Sequence, residues 1–123
     1  MYDHISLKVA DFGKSLAFYR AALAPLGLEA QHIDSESKSA GFGPRGSVGL
    51  WIAEGKPNRE IHLAFRSSNR AAIGHFFDAA LRTGGKDNGK PGLRPDYGES
   101  YYAAFVLDPD GNNIEAVTFD VTT

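Results

Sequence analysis

Two stretches of the chain alternate apolar and polar side chains with a period of two. In the first, Ile5, Leu7 and Val9 alternate with His4, Ser6 and Lys8. In the second, Ile61, Leu63 and Phe65 alternate with His62, Ala64 and Arg66. That spacing predicts strands with one buried face. Each is followed by a helical period. Phe12, Leu16, Tyr19, Leu23 and Leu26 recur at steps of four and three, with Asp11 placed to cap the start and Pro25 and Gly27 to end the run. The second helix is predicted from about Asn69 to Thr83. Ile73, Phe76, Phe77, Ala80 and Leu81 form its inward face, and Gly84-Gly85 stops it. Short strand-like stretches follow each helix, the clearest being Val48–Ala53, Tyr101–Leu107 and Asn113–Phe119. Asp108-Pro109-Asp110-Gly111 suits a type I turn. The Pro- and Gly-rich run from Gly89 to Pro95 predicts a loop, not a strand.

The two halves repeat one another. An offset of 58 lays His4 on His62, Phe18 on Phe76, Tyr19 on Phe77, Leu23 on Leu81 and Gly27 on Gly85. Further along, an offset of 65 lays Gly43-Pro44-Arg45-Gly46-Ser47 on Asp108-Pro109-Asp110-Gly111-Asn112 and Leu50 on Glu115. The change of offset predicts about seven extra residues in the second copy, placed between Gly89 and Ser100. A β-α-β-β-β unit used twice is the reading, with module one at about 1–55 and module two at about 59–120.

Composition narrows the function. The 123 residues fit one domain; 42% are hydrophobic and 23% charged, and the formal charge is −2. That balance gives no footprint for nucleic acid or acidic membranes. No apolar run approaches the ~20 residues of a membrane span. The start shows no secretory pattern, so a cytoplasmic location is expected. Cysteine is absent, which excludes disulfides, thiolate metal sites and cysteine nucleophiles.

The alternation carries chemistry. If Ile5, Leu7 and Val9 cover the helix, His4 faces the other side of its sheet, and His62 does the same in the second copy. Two equivalent strands lie about a pseudo-twofold axis, near which these histidines can meet. Glu115 sits in the otherwise apolar stretch Asn113–Val117. A buried carboxylate there needs a partner, either a metal or an arginine such as Arg66 or Arg20. Two histidines and one carboxylate with open positions suit a catalytic divalent ion: Fe, Mn, Zn or Ni. Tyr101, Tyr102, Tyr97 and Arg94 are pocket candidates, Tyr101 and Tyr102 being equally suited to the core. Lys8, Arg66 and Arg94 could also meet an anionic substrate or serve as surface charge. Trp51 is expected to pack against a helix. His32 and His75 lack repeat partners and read as structural or exposed. The segment Gly89–Ser100 is a candidate lid.

The paired modules, His4 and His62 at the strand starts, and the run from Tyr101 through Asp108-Pro109-Asp110-Gly111 to Glu115 resemble the vicinal oxygen chelate superfamily. This group comprises glyoxalase I, bleomycin-resistance proteins, fosfomycin-resistance enzymes and extradiol dioxygenases. The resemblance spans essentially the whole chain. It implies an α+β fold of two β-α-β-β-β modules forming a cupped mixed sheet around a central site, commonly in a homodimer. It also implies a small-molecule substrate whose two vicinal oxygens chelate a divalent metal, in dioxygenase, lyase, isomerase or thiol-transferase chemistry. Glyoxalase I uses a fourth ligand where the repeat puts Leu50, so three ligands, His4, His62 and Glu115, are the expectation. The alternative from a different class is a metal-free small-molecule or drug-binding protein.

Overall fold

The computed structural model describes residues 1–121. Module one runs β1 (Ile5–Val9), α1 (Phe12–Leu23), a short 3-10 turn (Ala24–Leu26), β2 (Glu29–Asp34), β3 (Ser39–Gly43) and β4 (Leu50–Glu54). Module two repeats the order with β5 (His62–Arg66), α2 (Arg70–Arg82), β6 (Lys86–Leu93), β7 (Tyr102–Leu107) and β8 (Asn113–Thr118). The sheets have matching orders, β1-β4-β3-β2 and β5-β8-β7-β6, each with one parallel pair (β1 with β4, β5 with β8). The fold is α+β, with two four-stranded mixed sheets and two helices.

Both helices start where the sequence places them. The Asp11 carboxylate accepts from the Lys14 amide at 3.1 Å, and the Asn69 side chain accepts from the Ala72 amide at 2.8 Å. Each cap satisfies an amide that the first turn leaves unpaired. Helix α1 ends as the chain tightens through Pro25 and turns at Gly27, whose φ of 77° is left-handed. Each helix covers one face of its own sheet, and the two helices touch. One core therefore joins Phe18, Tyr19, Phe42 and Ile52 of module one to Ile73, Phe76, Val106 and Ile114 of module two. Leu81 is 39% exposed, and Ala79 is buried on α2 instead.

The Asp-Pro-Asp-Gly turn ties the modules. Asp108 accepts the Tyr19 hydroxyl of α1 and the amides of Asp110 (2.9 Å) and Asn112 (2.8 Å). Asn112 in turn accepts from the Ile61 amide at 2.9 Å and donates to the Asn58 carbonyl at 3.0 Å. The Asp110 carboxylate accepts the Ala10 amide of module one at 3.3 Å.

Two expectations are corrected. The segment Gly89–Leu93 is not a loop: it belongs to β6, paired with β7. As the sheet's outer strand, β6 needs hydrogen bonds on one side only, so Pro91 is tolerated. Two register shifts, around Gly89 and before Gly92, absorb the irregularity. Between β6 and β7 the chain is irregular from Arg94 to Tyr101. The second correction concerns the repeat. Ile5 pairs with Leu50 and Leu63 with Ile114; Ser6 pairs with Trp51 and Ala64 with Glu115. The counterpart of Glu115 is therefore Trp51, not Leu50. The turns align at 65, but Val48 and Gly49 then lengthen the first copy by one residue relative to the second, and the strands align at 64. A slip of one residue exchanges the two faces of a strand. Leu50 lies in the core, while half-buried Trp51 lies on the open face, edge-on to His32 and over Gly41, and not against a helix.

Candidate functional site

The face of the second sheet turned away from α2 carries the site. On β8, Ile114 and Ala116 enter the core, so Glu115 points to the other side. Pairing places Ala64 of β5 on one flank of Glu115 and Phe105 of β7 on the other. His62 stands two residues before Ala64 and so shares that face. Its Nε2 donates to Glu115 Oε1 at 2.7 Å, and the Tyr101 hydroxyl donates to Glu115 Oε2. Glu115 is only 1% exposed while the His62 side chain is 55% exposed. A carboxylate so deeply covered on the side opposite the core is held by two donors, a histidine and a tyrosine, not by Arg66 or Arg20.

Aromatic rings frame this pair. Phe105 lies beside His62, with centroids 6.2 Å apart, and Tyr101 packs edge-on against both Tyr97 and Phe119 at 5.3 Å. Desolvation, followed by the Glu115 hydrogen bond and charge, pushes the Tyr101 hydroxyl up to about 12 from its ordinary 10.0. It therefore stays protonated at neutral pH and serves as a donor. Tyr102 faces the other way, packing against the core with Arg70 over its ring at 4.7 Å. Arg94 lies over Phe105, 5.3 Å from its centroid, and Arg66 over Phe119 at 5.0 Å. Tyr97 is exposed at the margin.

His4 is elsewhere. It precedes β1 in the first sheet, half exposed, with its Nδ1 2.6 Å from the Asp3 carboxylate. Strands β1 and β5 are outer strands of separate sheets. The structure brings His62 and Glu115 together and leaves His4 apart. Among the described residues of one chain, no three His, Cys, Asp or Glu side chains converge in a group able to hold a metal. His32 stands against Trp51, and His75 is exposed on α2. Sequence reasoning missed Phe105 and Phe119 as site residues, because apolar residues on a strand read as core until pairing assigns their face.

Known proteins place the fold. The sequence model of the glyoxalase/bleomycin resistance protein/dioxygenase superfamily matches residues 2–116. Among proteins with curated descriptions, none matches. A glyoxalase/bleomycin resistance protein from Albidiferax ferrireducens superposes with a TM-score of 0.81 at 28% identity, covering 96% of this chain and 98% of that one. A glyoxalase/bleomycin resistance protein/dioxygenase family enzyme from Burkholderia phytofirmans gives 0.71 at 17% identity, covering 96% and 98%. A mutant of the fosfomycin resistance protein of Listeria monocytogenes, complexed with Mn(II) and a dihydroxypropylphosphonic acid, gives 0.68 at 22% identity, covering 94% and 87%. With the family model spanning nearly the whole chain and the doubled β-α-β-β-β fold in place, the chain belongs to the glyoxalase/bleomycin resistance protein/dioxygenase superfamily.

Proposed function

We propose that the chain is a metal-dependent enzyme acting on a small molecule with two vicinal oxygens, and that its site is shared between two copies of the chain. The observation that carries this reading is Glu115, buried on the open face of its sheet and held by His62 and Tyr101. Burying a carboxylate is costly, so one held by two donors on the open face of a sheet is a candidate for function. His62 and Glu115 are the two ligands from module two. His4 is the third, contributed by module one of a second copy, since within one chain it lies apart and exposed. The Listeria neighbour's Mn(II) supports a divalent ion in this fold; Fe, Mn, Zn and Ni all suit the donors.

When bound, the ion supplies Lewis-acid polarisation of the substrate oxygens. The chain's own groups do the rest. Glu115 brings negative charge into a covered position, and Tyr101, protonated at neutral pH, keeps a hydrogen-bond donor beside it. Phe105 and Phe119 give the substrate an apolar bed. Isomerisation, oxygenation and addition of water or thiol all remain compatible with these groups.

The test is a complementation assay with elemental analysis. Wild type should carry one ion per chain, and His4→Ala and His62→Ala should each carry none. Mixed after unfolding and refolding together, the two variants should recover about a quarter of the wild-type metal. Half of the random dimers are mixed, and each of those has one intact site of two. No recovery on mixing would sink the shared site, and metal retained by His62→Ala would sink the ligand set. The second reading, a metal-free binding protein, draws on the lack of a three-donor group among the described residues of one chain. It predicts no bound ion in any of these samples.

A further inference from the structure

The metal reading leaves Arg94 unused, yet the structure gives it a prepared seat. Its side chain, partly exposed, runs back along β6. Nη2 donates to the Lys90 carbonyl at 2.6 Å, and the guanidinium lies over Phe105, 5.3 Å from the ring centroid. Two glycines make room for it. A Cβ at Gly89 would stand 3.3 Å from Nη2, and one at Gly92 would stand 3.2 Å from Nη1, tighter than ordinary side-chain packing. Holding a long, flexible side chain in one place costs conformational entropy, which a solvated surface cation does not incur. The carboxylate sharing this face, Glu115, is occupied by His62 and Tyr101, and no ion pair among the described residues involves an arginine. The guanidinium is thus fixed on the ring next to Glu115 with its charge unanswered. A planar, multi-donor cation of this kind matches a carboxylate in shape and charge.

We propose that Arg94 is a specificity-determining residue that receives a carboxylate of the substrate. Arg66, stacked on Phe119 at 5.0 Å, adds a second positive charge to the same face. The inference rests on the reading that this face binds substrate, but not on the metal.

The experiment is calorimetric titration of the full, metal-stripped protein with benzoate and with its neutral analogue benzamide, at low salt. Wild type should bind benzoate about tenfold more tightly, as expected for one charged hydrogen-bonded contact. Arg94→Gln should abolish that preference. Arg82→Gln, at the far end of α2, should leave it unchanged. No benzoate binding at millimolar concentrations, equal affinity for the two ligands, or a preference undiminished in Arg94→Gln overturns the proposal. Metal content of the same preparations, measured before stripping, is scored separately. A benzoate preference without metal overturns the metal reading alone, and metal without the preference overturns this one alone.

Discussion

Glu115 concentrates the consequences at the scale of single residues. Both its oxygens accept from side chains, so removing one donor leaves a buried acceptor unpaired. Tyr101→Phe should lower the stability of metal-free protein by about 1–3 kcal/mol, measured by urea unfolding. The same hydroxyl gives a pH dependence. Its folded value is raised to about 12 above an ordinary 10.0, so the native state keeps a proton that the unfolded chain releases. The contribution is fully present below pH 10 and is lost as pH rises towards 12. The buried Tyr19 hydroxyl, raised first by desolvation and then by Asp108, acts in the same direction. Urea midpoints should therefore fall between pH 10 and pH 12, with a smaller fall in Tyr101→Phe; a flat profile would contradict the assignment. Some of this was legible in the sequence: the apolar setting of Glu115 announced a buried carboxylate. Its tyrosine partner was not, because Tyr101 lies 14 residues away along the chain and meets Glu115 only across the β7–β8 pair.

At the scale of elements, helix α2 separates local from tertiary demands on glycine. Gly74 lies inside α2, and a Cβ there would meet nothing within 4 Å. Gly74→Ala should stabilise the protein by roughly 0.5–1 kcal/mol, since alanine is the better helix former. Gly85, just past the helix, is the opposite case. A Cβ there would stand 2.7 Å from the Phe18 ring of α1 and 2.8 Å from the Ala80 carbonyl. Gly85→Ala should destabilise by about 1–3 kcal/mol, as overpacking does, with both changes read from thermal unfolding. The helices were legible element by element, since period, caps and stops all agree. Strand β6 was not. Its Gly and Pro content argues against a strand in isolation, and its outer position in the sheet removes the objection.

At the scale of the whole molecule, the Asp-Pro-Asp-Gly turn matters more as a clasp than as a turn. Tyr19 and Asp108 join α1 to the second sheet, and Asn112 binds the linker at Asn58 and Ile61. Tyr19→Phe should cost about 1.5–3 kcal/mol, the range for a hydrogen bond to a charged acceptor, and should lower one unfolding transition common to both modules. Separate transitions would show that the shared core does not couple them. The duplication itself, its strand and helix order, the buried carboxylate and the opposite-face position of His62 were all determined by the sequence. They follow from periods of two and 3.6 and from local capping. Tertiary structure decided the rest. The strand pairing put Trp51, not Leu50, opposite Glu115 in the repeat, because one residue of loop reverses a strand's faces. It gave Glu115 its tyrosine and histidine, and it laid Arg94 along two glycines. It also left His4 apart from His62 within the chain, since alternation fixes which face a side chain takes but not which sheet comes to meet it.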